Sequence, residues 1–400
     1  MVKQEGRQVR PTRVLFINHT ARSGGGEVAL RLLIRHLDRA VVTHQLLLFE
    51  DGPIAESLRQ DTRVHIFPLS EDVRDARKDS IGSMKFSHLV KVAALPLFVV
   101  KLSRLIRRLD VDVVHTNSLK ADILGGLAGR LAGKRVVWHV RDRIADDYLP
   151  PRTVRMFRQL ARIIPHAIIA NSHATLETLR LSKRREQRTE GAAATVVHDG
   201  FDFADLPADQ PQEASALLVG LVGRISPWKG QDIFLRAIHA IHNEFPEARF
   251  QVIGSALFGE SEYEEHIRAL SAELGLTQCV EFCGFVSDIQ RHIATLDVVV
   301  HASTIPEPFG QVIIEGMAAG KPVIASRAGG PTEIVVDGIS GILVPMNDAA
   351  ALADAMRQLL GDAELRARLG AGGRQRVQDA FRIEATADKV SRIYSQLCAQ

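Results

Sequence analysis

The chain has 400 residues, 46% of them hydrophobic, a formal charge of +3 and three cysteines. That length predicts two domains rather than one, each able to bury a full core, and the cysteine usage fits a reducing compartment. The charge is uneven: residues 1–205 carry 34 Lys and Arg against 23 Asp and Glu, and the remainder 16 against 24. The first half is therefore expected to meet something anionic (nucleic acid, phospholipid or an acidic acceptor), unless the excess is only a solvated basic surface.

At the start, MVKQEGRQVRPTR lacks the apolar stretch of a signal peptide. VLFIN (14–18) reads as a buried strand, followed by a glycine loop and a helix from about Glu27 to Leu37. HQLLLF (44–49) and VHIFPL (64–69) read as strands. A helical stretch covers about 86–109; its apolar run VAALPLFVV (92–100) is far too short to span a bilayer. VDVVHT (111–116), RVVWHV (135–140), AIIAN (167–171) and ATVVHDG (194–200) come next as strands. β-Branched runs separated by helices predict a parallel sheet with helices on both faces. The stretch 203–216, with two prolines, several acids and no periodicity, reads as a linker.

The pattern then restarts, with strands at 217–223, 248–254, 279–285, 296–303, 321–326 and 341–345. Helices are expected at 232–245, 263–275, just before 296 and at 310–320, and two more close the chain, the last near 383–398. Cys279 and Cys283, four apart, are expected on one strand face, and no second Cys or His pair nearby completes a zinc site. The whole is two doubly wound α/β units in tandem, with the crevice between them as the default ligand site.

The most informative segment is ASTIPEPFGQVIIEGMAAGKPVIAS, from Ala302. A strand ends near Ser303, a loop carries Glu307, and a helix starting near Gly310 places Glu315 in its second turn. The first-turn amides, around Phe309 to Val312, lack intrahelical partners and with the helix dipole form an anion site. Glutamates beside an anion site make sense if they accept hydrogen bonds from the paired hydroxyls of a sugar or ribose. In VGRISPWKGQD (222–232), Arg224 and Lys229 lie between a strand and a helix, so both reach the same crevice. They can offset the roughly two negative charges of a diphosphate ester, most strongly as a leaving phosphate gains charge. No Asp-x-Asp motif ends an apolar strand, so no metal site is expected.

In the first half, Gly24, Gly25 and Gly26 of HTARSGGGEVALRLL let the backbone approach a ligand. The rival reading is a dinucleotide fingerprint with Glu50 as its ribose carboxylate; His19 to Ser23, which separate strand from glycines, weigh against it. His115 and His139 end strands on the crevice side. Residues 84–109 hold six Lys and Arg and no acid, and Arg152, Arg155, Arg158 and Arg162 share one helix face by their spacing. Both runs suit an anionic bilayer surface; equally, 92–100 suits a core helix kinked at Pro96. Nucleic acid is not expected, for want of aromatic–basic interleaving.

The pair Glu307 and Glu315, GRISPWKG (223–230), GGPTEIVVDGISGILVP (329–345), ANSHAT (170–175), HDGFD (198–202) and GFVSD (284–288) resemble, in order and spacing, the family 4 retaining glycosyltransferases. The resemblance implies a GT-B fold, two Rossmann-like domains facing a central cleft. It implies a nucleotide-diphosphate sugar as substrate, no cofactor, no metal, and retention of anomeric configuration. By it, Glu315 holds the ribose hydroxyls, and Glu307 faces the donor sugar near the amides of Phe309, Gly310 and Gln311. Arg224 and Lys229 clamp the diphosphate, with Gly25 and Gly26 beside it, and Gly284, Phe285 and Val286 read the base. His139 lies beside the sugar, while Arg141, Asp142 and, more weakly, His115 shape the acceptor site.

On this reading residues 1–205 bind the acceptor and 206–382 the nucleotide sugar, and a helix over 383–400 packs back toward the first domain. Two departures stand out: Gly316 where alanine is usual, loosening its helix by ~1 kcal/mol, and Asp199 where asparagine is usual. The expected function is metal-independent, retaining sugar transfer to a glycan or lipid-linked acceptor, in cell-surface polysaccharide or glycolipid synthesis. The expected place is the cytoplasm, at the inner face of the membrane. Two alternatives stay open: a GT-B nucleotide-sugar epimerase or hydrolase, and a nucleotide-sugar-binding membrane-surface protein without turnover.

Overall fold

The computed structural model describes residues 10–22, 24–69, 95–181, 194–207, 216–257 and 259–399. Residues 84–94 of the basic helical stretch and 208–215 of the expected linker lie outside them. The chain divides into two compact units: Met1–Asn171, Leu176–His198 and Ile383–Gln400 form one, Ser172–Thr175 and Asp199–Arg382 the other.

The first unit runs β1 (Thr12–Asn18), α1 (Gly25–His36), β2 (Val42–Leu48), α2 (Pro53–Leu58), β3 (Arg63–Ile66), α3 (Leu95–Arg108), β4 (Val113–Thr116), α4 (Leu119–Leu131), β5 (Arg135–Val140), α5 (Pro151–Leu160) and β6 (Ala167–Ala170). Then come α6 (His173–Thr178), whose first turn groups with the second unit, and β7 (Ala194–Val196). The strands pair in the order β3-β2-β1-β4-β5-β6-β7, all parallel. The order reverses between β1 and β4, so the loops leaving those strands diverge and open a crevice at the carboxyl edge. β4 is buried along its whole length and β5 at all but its first residue, because helices cover both faces.

The second unit runs β8 (Leu218–Val222), α7 (Gln231–Ile241), β9 (Arg249–Ile253), α8 (Ser261–Glu273), β10 (Val280–Gly284), α9 (Ile289–Thr295), β11 (Val298–His301), α10 (Gln311–Ala318) and β12 (Val323–Ser326). It ends with α11 (Pro331–Ile334), β13 (Ile342–Val344), α12 (Ala349–Gly361) and α13 (Ala363–Ala380). Its parallel sheet has the order β10-β9-β8-β11-β12-β13, reversing between β8 and β11. The final helix, α14 (Ile383–Cys398), belongs to the first unit, where Ala387, Val390, Tyr394 and Leu397 join a core with Leu30, Leu33 and Ile34 of α1.

Three local expectations are corrected. Three helices, not two, come after β13: Asp362 ends α12 and caps α13, its carboxylate accepting from the Leu365 amide at 2.9 Å, so a continuous helical pattern holds two helices. Cys279 packs with one core and Cys283 with another. Cys279 lies before β10, in a turn where its amide donates to the Leu276 carbonyl, so strand alternation does not govern it; within the strand, Val280 and Phe282 pack with the first core and Cys283 with the other, as alternation predicts. Pro96 is the second described residue of α3, and the residues before it, which bear on the expected kink, lie outside the described ones. Finally, α1 starts at Gly25, so Gly25 and Gly26 supply first-turn amides instead of a loop.

The two readings of the 92–100 segment meet in α3, within its described residues. Val99, Leu102 and Ile106 enter the core, while Leu97 is 55% exposed and Lys101, Arg104, Arg107 and Arg108 face out.

Candidate active site: two strand-end clusters

In the second unit the site is assembled by the loops after β8 and β11. Gly230 has φ +73, and a Cβ there would lie 1.9 Å from the Ala302 carbonyl oxygen, so only glycine lets the 223–230 loop lie against the end of β11. That contact brings Lys229 Nζ to 2.8 Å from Glu307 Oε2. The same oxygen accepts from Ser303 Oγ at 2.8 Å and sits 3.3 Å from His301 Nε2. All three bonds fall on Oε2, which leaves Oε1 for a ligand. Lys229 likewise keeps two of its three N–H bonds.

Glu307 and Lys229 are both largely buried. Burial alone would push the Glu307 carboxyl up, but the Lys229 charge and the His301 hydrogen bond outweigh it, and the group titrates well below the usual carboxylate range. Lys229 Nζ also lies 4.2 Å from the centre of the Trp228 ring, with the Arg224 guanidinium at 5.8 Å. Arg224 Nε is 3.4 Å from Glu260 Oε2, and Ser226 Oγ donates to Glu260 Oε1 at 2.8 Å.

Past Glu307 the chain turns into α10 through Gly310, at φ +114, with no side-chain cap on the opening amides. Gln311, its first residue, holds both amide atoms buried without a protein partner. Native interiors rarely leave such atoms orphaned, so a ligand is expected there. Glu315 is buried one turn on. A Cβ on Gly316 would come within 3.1 Å of Val299, so glycine lets α10 lie close on β11, which accounts for the missing alanine. The loop is fastened from behind: the Pro308 carbonyl accepts from the Ser172 and Thr175 hydroxyls, and Glu333 accepts from the His173 and Ala174 amides. At the end of β10, the Gly284 carbonyl accepts from Gly254 N at 2.9 Å, Val286 packs in the core, and Phe285 is 68% exposed.

The first unit builds a different cluster at the ends of β1, β4 and β5. The Gly26 carbonyl in α1 accepts from Asn117 Nδ2 at 3.2 Å. Asn117 Oδ1 accepts from Arg141 Nε at 2.8 Å, and Arg141 Nη2 lies 3.3 Å from His139 Nδ1. Glu27, also in α1, accepts from Asn18 Nδ2 at 3.0 Å, and burial raises its carboxyl. Tyr148 donates its hydroxyl to Asp142 at 3.3 Å.

His115 is placed otherwise than expected. It is fully buried behind His139, between that ring and Tyr394 of α14, so it faces no acceptor. His139 is fully buried as well. Glu50 accepts from the Thr20 hydroxyl and the Ala21 amide, fastening the loop after β1, and so loses the dinucleotide role of the rival reading. Arg158 turns inward to the carbonyls of Thr178 and Ile144, whereas Arg152, Arg155 and Arg162 stay exposed.

Two family models match in tandem. Glycosyltransferase Family 4 covers residues 23–203 and Glycosyl transferases group 1 covers residues 203–376. The chain belongs to the family 4 glycosyltransferases. Relatives of this glycosyltransferase include a D-inositol 3-phosphate glycosyltransferase from Nocardioides, 28% identical over 88% of this chain and 83% of that protein. The lipopolysaccharide core biosynthesis glycosyltransferase LpsE of Rhizobium meliloti is 33% identical over 49% of this chain and 52% of its own. Among solved structures, HepE of Anabaena in complex with UDP and glucose superposes with a TM-score of 0.81 and 28% identity, over 96% of this chain and 99% of that one. HepE has also been solved with UDP-glucose. The fold is accordingly GT-B: two Rossmann-like domains, each on a parallel sheet.

In this glycosyltransferase the sequence pointed to Lys229, Glu307, Arg224 and Glu315 but not to His301, Ser303 or Glu260. His301 was detectable, since it ends LDVVVHAS as His139 ends RVVWHV. Glu260 and Tyr394 were not, because only the fold brings them to Arg224 and His115.

Proposed function

We propose that the enzyme transfers a sugar with retention from a nucleotide-diphosphate donor to a glycan or lipid-linked acceptor, without a metal. The observation that carries this is the buried Lys229–Glu307 pair beside the opening turn of α10 and its orphaned Gln311 amide. The diphosphate lies against Arg224, Lys229 and the amides of Phe309, Gly310 and Gln311, and Gly25 and Gly26 are the first unit's donor-binding residues. Glu315 takes the ribose hydroxyls, and the main chain at Gly284, Phe285 and Val286 takes the base, with the exposed Phe285 ring as a stacking surface. Glu307 Oε1 takes a sugar hydroxyl while Oε2 stays tied to the protein, and His139 donates to the sugar.

The anomeric carbon's bond to the phosphate oxygen breaks, its electron pair leaving with the diphosphate. The acceptor oxygen bonds to that carbon on the same face, and its proton passes to the departing phosphate oxygen. Lys229 and Arg224 stabilise the charge as it builds, which is what lowers the barrier. HepE's complexes with UDP and with UDP-glucose support a donor of this class. The inositol phosphate and lipopolysaccharide relatives support a polyol, glycan or lipid acceptor shaped by Arg141 and Asp142.

Membrane contact is the second part of the proposal. Arg152, Arg155 and Met156 of α5, then Arg162 and Ile163, make an exposed basic and apolar face suited to an anionic bilayer. Among the described residues no helix is long and apolar enough to cross a membrane.

Nucleotide release is the test. UDP-glucose, UDP-galactose, UDP-N-acetylglucosamine and GDP-mannose are each supplied with and without inositol phosphate, phosphatidylinositol vesicles or lipopolysaccharide core. Acceptor-dependent release in excess chelator, with product of unchanged anomeric configuration, is expected. Equal release without acceptor would favour an epimerase or hydrolase, binding without release a non-catalytic protein, and loss in chelator a metal requirement.

A further inference from the structure

Behind His139 lies a chain of buried groups that admits one arrangement of protons. The Tyr394 hydroxyl is 2.7 Å from His115 Nδ1, His115 Nε2 is 3.2 Å from His139 Nδ1, and Arg141 Nη2 is 3.3 Å from that same His139 nitrogen. A guanidinium only donates. His139 Nδ1 therefore accepts, and its proton sits on Nε2. An accepting Nδ1 requires His115 Nε2 to donate, which leaves His115 Nδ1 to accept the Tyr394 proton. Two donors sharing one lone pair fit the long 3.2 and 3.3 Å separations. Burial keeps both rings neutral, with the Arg141 charge acting in the same direction. At the end of the chain, His139 Nε2 is buried without a protein partner.

We infer that Tyr394, on the last helix, is a positioning residue of the transfer reaction: through His115 it fixes His139 in the Nε2–H form, a donor held for an oxygen of the bound nucleotide sugar. The inference rests on the reading that His139 lies beside the donor sugar. It ties α14 to the reacting centre through the first unit's own core, where Tyr394 packs beside the end of β4. The ring of Phe16 on β1, 4.8 Å from that of His115, holds the middle imidazole in place.

The direct test is the protonation pattern. Long-range nitrogen–proton NMR of ¹⁵N-histidine-labelled enzyme at neutral pH should show both rings neutral with the proton on Nε2; a proton on Nδ1 of either ring overturns the inference. Kinetics then test its use, on whichever donor of the panel turns over fastest. Tyr394→Phe should lower kcat about five- to tenfold, the worth of one hydrogen bond, with donor KM within about twofold. Unchanged kcat overturns the inference.

His115→Gln retains an N–H toward His139 and should keep more turnover than His115→Leu. If activity merely tracks the melting temperatures of the two variants, the role is structural and the inference fails. His139→Ala separates the two levels. Full turnover there removes His139 from the site, whereas loss there with normal Tyr394→Phe rejects only the positioning role.

Discussion

The two units share a sheet plan but build their carboxyl edges from opposite chemistry. In the second unit the strand-end histidine, His301, faces a carboxylate, a hydroxyl and, through Glu307, the ammonium of Lys229. In the first unit the strand-end histidines face each other, a tyrosine and an arginine. One edge holds a compensated Lys–Glu pair; the other holds two neutral rings beside Arg141, with Glu27 and Asp142 near it. A fixed cation is suited to a ligand whose charge grows during reaction, and a neutral donor to an oxygen whose charge barely changes. Under the proposed function, the charged edge suits the diphosphate of the donor and the neutral edge a sugar oxygen.

The contrast is broken most severely by removing the charge on the second edge. Glu307→Gln, which leaves Lys229 without its counter-ion, should cut transfer by about 10²–10³-fold, comparable to loss of a preorganised charge-stabilising group. Nucleotide release measures it, and circular dichroism should show the fold intact. Turnover near normal would mean that the pair is only structural.

Next in size is the backbone that delivers Lys229. Gly230→Ala forces a left-handed residue and a clash with the Ala302 carbonyl, and should cost about 2–4 kcal/mol. The midpoint of urea unfolding reads this directly, and an unmoved midpoint would mean the two loops need not touch.

The neutral edge predicts a pH dependence. Burial and Arg141 lower His115 to about 3, against about 6.5 in the unfolded chain. Between those values the unfolded state binds the extra proton. Stability is therefore complete above about 6.5 and declines as pH falls toward 3. His115→Gln should flatten that decline in urea titrations from pH 7 to 4; an identical slope would show that the ring is protonated as easily folded as unfolded.

The smallest effect concerns Glu260, which pairs with Arg224 and, under the proposed function, would compete with a phosphate for it. Glu260→Gln should tighten UDP binding about two- to threefold by calorimetry, because it removes one charged competitor for the guanidinium while Ser226 keeps a hydrogen-bond partner. Weaker binding would instead make Glu260 the residue that aims Arg224.

The strands were readable because parallel, doubly covered strands are uninterrupted apolar runs: RVVWHV is a strand over its full length, 135–140. The glutamate pair and the Arg–Lys pair were readable because each lies within one loop and the helix beside it. Other features depended on tertiary context. The start of β10 at Val280, which leaves Cys279 outside the strand's alternation, leaves no mark in CVEFCGF. The split at Asp362 sits inside an unbroken helical pattern. The burial of His115 comes from a tyrosine 279 residues away, a separation no local pattern reports. The inward turn of Arg158 escaped the sequence for a related reason: helical spacing gives the face, but the carbonyls that capture the side chain belong to other segments.

One measurement bears on the whole account: titration of UDP into the wild-type enzyme and into Lys229→Ala, by calorimetry at fixed ionic strength. Binding that weakens at least tenfold in the variant is the predicted result, because the ammonium beside Glu307 would be holding the diphosphate. Equal affinity in the two proteins would contradict it, and would place the nucleotide somewhere other than the β8 and β11 strand ends.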